Sequence, residues 1–532
     1  MLLYGLFGVI GGAVGGLILT IGLVVARARV EGAYFHDPDE LIGWVGLPLV
    51  LGPIVGAWIG AAHPPGRSIL PGAAAGLAAG VALGGVLGQW LGDDPSGKWA
   101  GLSMGGAFGL LLGVWVPLLR HFRRRRRALE EGWELGPRRP LFLSLVLTAF
   151  FLGPLVVLVV GALAPEPPSA PRVASEPDSS DVESVILLLG DAGLARRETH
   201  PILPRIGAEV ERWTALVERD SSVVVVLLGD IVYPRGLAAP GSLTWAEDSA
   251  RVADQASLVG GPLALERGAR ALFLAGNHDW GERKDYEGAL RLSHLGDLLD
   301  SLRATGPAVE LMPPAGTGGP AVVDVGAHLR LVLLDTAWWL LEADPEPRLP
   351  VLRGVRDALA TAGAREVVIA AHHPFESGGP HGGLAVLGET LGVQALLSRS
   401  GALLQDLRSR PYVALRRGLV EIFREHGPPA LFAGGHEHSI QLVRGDDGAA
   451  PRRSVVTGSA SKLSGVGPVP GLLFARSEPG FARLLVLRDG TLHLSIETAP
   501  AGYLSCPEAD PVRIGCMADG VAAYRVVWSE PL

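Results

Sequence analysis

The chain has 532 residues and a formal net charge of -8, with 48% hydrophobic and 19% charged residues. That length exceeds one small core and accommodates two, while the acidic balance excludes a nucleic-acid binder, which needs dense Lys and Arg against phosphate. Cys506 and Cys516 are the only cysteines; they exclude a zinc ribbon, and in an oxidising compartment they could close a small loop as a disulfide.

Taken in chain order, the first third is mostly Gly, Ala, Leu and Val. Five apolar stretches, at roughly residues 3–26, 41–62, 69–92, 99–119 and 140–163, approach the twenty or so residues that cross a hydrocarbon core of about 30 Å. A cleaved signal peptide would account for the first alone, and that segment lacks a basic start. Glycines recur every fourth residue at Gly8, Gly12 and Gly16, at Gly72, Gly76, Gly80, Gly84 and Gly88, and at Gly101, Gly105, Gly109 and Gly113. This spacing clears one helix face of side chains, so that backbones approach closely in lipid. The same faces offer a route to a homo-oligomer. Intramembrane charge is nearly absent, so a transport path finds no support. The loop carrying Arg123–Arg127, Arg138 and Arg139 stays cytoplasmic by the positive-inside rule, which delivers residue 164 onward to the non-cytoplasmic side. Residues 1–163 thus read as an all-α transmembrane bundle, a multi-pass anchor in the lipid bilayer. Residues 164–181, rich in Pro and Ser, read as an extended linker.

From there short β-branched runs alternate with amphipathic stretches. SVILLLGDAG, SSVVVVLLGDIVY, ALFLAGNHDW, LRLVLLDT, EVVIAAHHP and ALFAGGHEHS have the continuous apolar character of strands buried on both faces, which predicts an α/β layered sheet. Ligands collect at the carboxyl ends of such strands. Each polar cluster follows its strand directly, so all are expected to converge on one edge. Asp191, Asp230, Tyr233, Asn277, His372, His436 and His438 supply oxygen and imidazole donors without a thiolate, a set suited to Fe, Mn or Zn. Any one Asp after a strand is an ordinary helix cap. Five clusters in order, each at a strand end, are not.

The order GDAG, GDIVY, GNHD, HHP and GHEH resembles the calcineurin-like metallophosphoesterases. More narrowly, it resembles the purple acid phosphatase branch, including its small tartrate-resistant type. Gly193 stands where many relatives place a metal-binding histidine, and Tyr233 follows three residues after the second aspartate. VLLDT at Val332–Thr336 adds a weaker match, and the likeness covers about residues 184–500. It implies an α+β layered sandwich over residues 182–532. It also implies two metal ions: a ferric ion on Asp191, Tyr233 and His438, and Fe, Zn or Mn on Asn277, His372 and His436, with Asp230 bridging.

The implied reaction is hydrolysis of a phosphate monoester by a metal-bound hydroxide, with His278 and His381 as proton donor and phosphate contacts. The same site serves phosphodiesters or pyrophosphates equally well, and a non-catalytic module sensing phosphorylated ligands is the alternative of another class. Asp279 is expected to orient His278, and His373 to be structural. Trp280 replaces a histidine of the tartrate-resistant type and is expected to alter the substrate mouth. Arg235–Arg270 is expected to form loops and a helix that shape specificity. His200, His294, His328, His426 and His493 fall outside the motifs.

Overall fold

The computed structural model describes residues 168–194, 196, 200, 202–218, 222–281, 286–382, 407–445, 448–499 and 524–532. The five apolar stretches and both cysteines lie outside these residues. Among the described residues, no helix is long and apolar enough to cross a membrane.

Two seven-stranded sheets organise the described region. In the first, β1 (Val182–Leu189), β2 (Ser222–Leu227), β3 (Arg270–Phe273) and β4 (Ala308–Leu311) run parallel in that order. On the other side of β1, the sheet continues antiparallel through β12 (Gly480–Leu487), β13 (Leu492–Thr498) and β14 (Arg525–Pro531). In the second, β6 (Leu329–Leu334), β7 (Glu366–Ala371), β8 (Leu431–Gly434) and β10 (Arg453–Thr457) are parallel neighbours. Antiparallel β5 (Ala321–Val325) borders β6, and β9 (Ile440–Arg444) followed by β11 (Leu472–Arg476) borders β10.

The alternation of side chains along each strand explains the unbroken apolar runs. Ile186 and Leu188 of β1, with Val224 and Val226 of β2, pack in one core with Val368 and Ala370 of β7 and Leu431 of β8, between the sheets. Val185, Leu187, Val223 and Val225 point the other way, into a core shared with the helices. There α1 (Leu203–Leu216) buries Leu203, Ile206, Val210 and Trp213 on one face. The longer α7 (Arg410–His426) begins where the Ser409 side chain accepts from the Tyr412 amide, and it stops at Gly427, whose φ of 88° no β-carbon opposes. The strands that carry polar clusters therefore belong to two sheets, not one. The expected single edge is corrected to a seam between sheets: β1, β2 and β3 approach it from one side, β7 and β8 from the other.

Residues 168–181 lie along this body. The Pro168 carbonyl accepts from the Ala475 amide of β11, and Arg172 exchanges backbone hydrogen bonds with Val527 and Ser529 of β14. The segment thus touches the terminal strand of each sheet. Glu176, from the same segment, enters a buried ion cluster. Arg483, only 2% exposed, binds Glu209 at 2.8 Å, Glu497 at 2.7 Å and Glu176 at 2.5 Å. Arg205 closes the cluster against Glu209 and Glu497.

Removing one cation from such a cluster strands carboxylates in a medium that solvates them poorly. Arg483→Met is expected to lower unfolding stability by about 3–5 kcal/mol in urea titrations. A loss under about 1 kcal/mol would show that the cluster behaves as a surface pair.

Candidate metal centre

Asp191, Asp230 and His436 are, among the described residues, the only non-glycine positions with positive φ, at 62°, 56° and 66°. A side chain in that region costs of order 1–3 kcal/mol unless its surroundings impose it. Here the turns after β1, β2 and β8 meet at the seam with no room to relax. A β-carbon on Gly190 would lie 2.8 Å from the Gly435 Cα, and one on Gly276 would lie 2.2 Å from the Asp230 carboxylate.

These turns bring the predicted donors into two groups. In the first, the Tyr233 hydroxyl donates to Asp191 Oδ1 at 2.9 Å, and His438 Nε2 stands 3.4 Å from each of those two oxygens. In the second, Asn277 Oδ1 lies 2.9 Å from His372 Nε2 and 3.1 Å from His436 Nδ1, with the two nitrogens 3.2 Å apart. Asp230 stands between the groups, its Oδ1 3.5 Å from His372 Nε2, and its ligand atoms cluster with those of Asp191 and His372 within 4.8 Å. Donors about 2.1 Å from a shared ion sit about 3.0–3.4 Å from one another, so both groups have the edge lengths of a coordination shell. The residues fit two ions.

The surroundings prepare the donors. His372 Nδ1 donates to the Leu228 carbonyl at 2.8 Å, which leaves the Nε2 lone pair facing the second group. Burial, then neighbouring imidazoles, hold His436 well below the usual histidine range and keep it neutral. Burial pushes Asp191 up to about 7 against the pull of His372. Asp230 is held below the usual carboxylate range: burial opposes ionisation there, but His372 and His278 outweigh it. Burial and the flanking carboxylates push the Tyr233 phenol far up. A multivalent cation reverses that logic for carboxylate and phenol alike.

The two predicted catalytic histidines stand beside different groups. His278 Nδ1 donates to the Pro234 carbonyl at 2.6 Å, its Nε2 is 3.9 Å from Asp230 Oδ2, and its ring lies 4.5 Å from that of Tyr233. His381, on the turn after β7, lies 4.4 Å from the His436 ring. Asp279 does not orient His278. Its carboxylate turns back under the loops and accepts from the amides of Gly276, Ile231 and Val232, so it ties the turn after β3 to the turn after β2. Burial, with Asp230 adding to it, pushes Asp279 up to about 8. His373 is fully buried, pairs with the Thr336 hydroxyl at 2.9 Å and packs 4.3 Å from the His436 ring.

Trp280 is not at the mouth. It is 1% exposed, and its indole N–H donates to Asp335, the N-cap of α5 (Thr336–Leu341). Residues 235–270 hold two α-helices rather than one helix, α2 (Trp245–Ala256) and α3 (Pro262–Glu266), joined through a 3-10 turn at Ser257–Val259. From α2, Arg251 and Gln255 donate to the carbonyls of Tyr233 and Ile231 and back the turn that carries Asp230 and Tyr233.

Two residues at the site carried no motif. His200 is buried, with Nε2 donating to the Ala192 carbonyl at 2.9 Å and Nδ1 accepting from the Ile202 and Leu203 amides, and so it braces the turn of Asp191. Lys462 places its ammonium 3.9 Å from the centre of the Tyr233 ring. Neither stands in a run whose spacing sets it apart.

No family model and no curated protein matches the chain. Among solved structures it is similar to GAP50, the anchor in the inner membrane complex of Plasmodium, at 14% identity and a TM-score of 0.40, covering 60% of this chain and 85% of that one. It is also similar to purple acid phosphatase PPD1 from yellow lupin (Lupinus luteus) seeds, at 16% identity and a TM-score of 0.39, covering 67% of this chain and 55% of the lupin phosphatase. Likenesses this distant carry no residue assignments, so the chemistry rests on the site.

Binding to the folded state alone raises stability. Chelation of multivalent cations is expected to lower the thermal midpoint by roughly 5–10 °C, and His372→Ala is expected to abolish that response. An unchanged midpoint in the parent protein would contradict the metal centre. For His200, burial lowers the folded pKa from 6.5 to about 4, so the unfolded chain binds the extra proton first. Its contribution is complete above about pH 6.5 and is lost as pH falls toward 4, by about 3 kcal/mol. Urea midpoints of His200→Gln should fall less steeply across that window than those of the parent protein, and parallel curves would refute the assignment.

Proposed function

We propose that residues 182–532 form a two-metal phosphoesterase that hydrolyses phosphate monoesters, and that residues 1–163 hold it at a membrane with the catalyst on the non-cytoplasmic side. The carrying observation is the pair of donor groups, each with edges of 2.9–3.4 Å, that share Asp230 at the seam of two sheets. When bound, two cations neutralise an anionic ester and supply a water acidified to near-neutral pKa.

The donor types divide the ions. A phenol is protonated near neutral pH, so Tyr233 serves as a ligand only to a strongly acidic cation, and ferric iron suits the group of Asp191, Tyr233 and His438. The amide and two imidazoles of Asn277, His372 and His436 suit Fe, Zn or Mn. The proton for the departing oxygen comes from His278. Because its Nδ1 hydrogen is committed to the Pro234 carbonyl, a proton given at the site must sit on Nε2, and the donor form is the imidazolium. His381 flanks the substrate from the side of His436. The glycine faces of residues 1–163 supply helix packing, within one chain or between copies.

The test assays a monoester and a diester with the full-length protein loaded with iron plus zinc or manganese. Asp230→Asn should lose monoester turnover by at least about 10³-fold. His278→Ala should lose about 10²–10⁴-fold on an alkyl ester, and much less on an aryl ester whose phenolate departs without a proton. Turnover of the diester alone would overturn the monoester assignment. Two bound metals without turnover of either ester would favour a module that senses phosphorylated ligands.

A further inference from the structure

We propose that Lys462 reads the charge of the substrate: its ammonium, fixed beside Tyr233 on the loop between β10 and β11, pairs with the non-bridging oxygens of the phosphoryl group and favours dianionic monoesters over monoanionic diesters. This assignment rests on the phosphoesterase reading above.

The loop is tied down on both sides of the lysine. A β-carbon on Gly458 would lie 2.7 Å from Asp191 Oδ2, so the loop leaves β10 against a metal-site carboxylate. The Ser461 hydroxyl is 3.4 Å from His200 Nε2. Beyond Lys462, the Ser464 amide donates to the His438 carbonyl at 2.6 Å, and the Gly467 amide donates to the Gly378 carbonyl at 2.7 Å, on the segment that leads to His381. The loop therefore runs from the first donor group to the wall that carries His381. The backbone on either side of Lys462 is thereby held in place.

Its ammonium is 3.9 Å from the centre of the Tyr233 ring, and the His278 ring lies 4.5 Å from the same ring. Two nitrogen-bearing groups thus flank the phenol. Among the described residues, no carboxylate pairs with Lys462. Contact with an aromatic ring holds an ammonium in place but does not neutralise it. A half-buried cation without a counter-ion favours an incoming anion, and the excess grows with the charge of that anion. Two residues further along the loop, Ser464 is 6% exposed and its hydroxyl has no hydrogen-bond partner among the described residues. Composition makes the choice of residue pointed. Of 46 basic residues only Lys98, Lys284 and Lys462 are lysines, so a compact ammonium stands here in a chain that otherwise uses the wider arginine fork.

The test uses full-length, metal-loaded protein and its Lys462→Met and Lys462→Gln variants, each first checked for an unchanged unfolding midpoint. The expected result is a rise in KM for the monoester of about tenfold with kcat changed less than about threefold, and a smaller rise in KM for the diester of about threefold. Calorimetric binding of inorganic phosphate should weaken by about tenfold, with Lys462→Arg recovering part of it. Equal losses on both esters, a fall in kcat alone, or unchanged phosphate binding would overturn the proposal and mark Lys462 as a brace for Tyr233. If the parent protein hydrolyses monoesters normally while phosphate affinity ignores Lys462, only this inference fails. If the parent protein neither binds phosphate nor turns over either ester, the phosphoesterase reading fails with it.

Discussion

Asp191 and Asp230 are buried at the ends of neighbouring parallel strands, and the rest of the domain is arranged around that fact. Two such carboxylates repel each other in a medium that solvates neither, unless positive charge sits between them. The opposite sheet supplies His372 and His436 at this point, and burial keeps His436 neutral. His436 contributes a lone pair rather than countercharge. Cations held by donors from both sheets would complete the arrangement, and in the proposed reading ion binding would join the seam as well as serve chemistry.

The backbone carries the corresponding strain. Three non-glycine residues in the left-handed region would be a liability in an ordinary turn, yet all three are predicted ligands. Glycines remove the β-carbons that would keep the two sets of turns apart, and Asp279 ties the β2 and β3 turns together through three amides. Each sheet contributes a different chemistry. The first brings carboxylate, phenol and amide donors, and the second brings imidazoles. In the proposed reaction, proton transfer and charge recognition fall to groups at the margin, His278 on one sheet's turn and Lys462 on the other's.

Much of this was legible in the sequence, for a physical reason. A strand buried on both faces leaves an unbroken apolar run, and the polar residue that ends it marks the strand's carboxyl end, so β1, β2, β3, β7 and β8 and their donors could be read directly. Runs of that kind do not say which strands share a sheet, and one sheet edge was expected where two sheets meet. Asp279 and Trp280 sit in the same GNHDW motif as the donors, but the Ile231 and Val232 amides and the Asp335 carboxylate that they bind lie about 50 residues away in the chain, and local pattern holds no trace of them. Lys462, whose partner Tyr233 is distant in the chain, was silent for the same reason, whereas His200 braces its near neighbours Ala192, Ile202 and Leu203 from a stretch with no distinctive spacing. The membrane reading of residues 1–163 rests on hydropathy, glycine spacing and the arginine loop alone.

Anomalous X-ray scattering from crystals of the protein loaded with iron and zinc tests the central claim most directly, because it locates ions without presupposing a reaction. The account predicts two neighbouring peaks, one in contact with Asp191, Tyr233 and His438, the other with Asn277, His372 and His436, with Asp230 touching both. A single peak, or ions bound away from the seam, would contradict it.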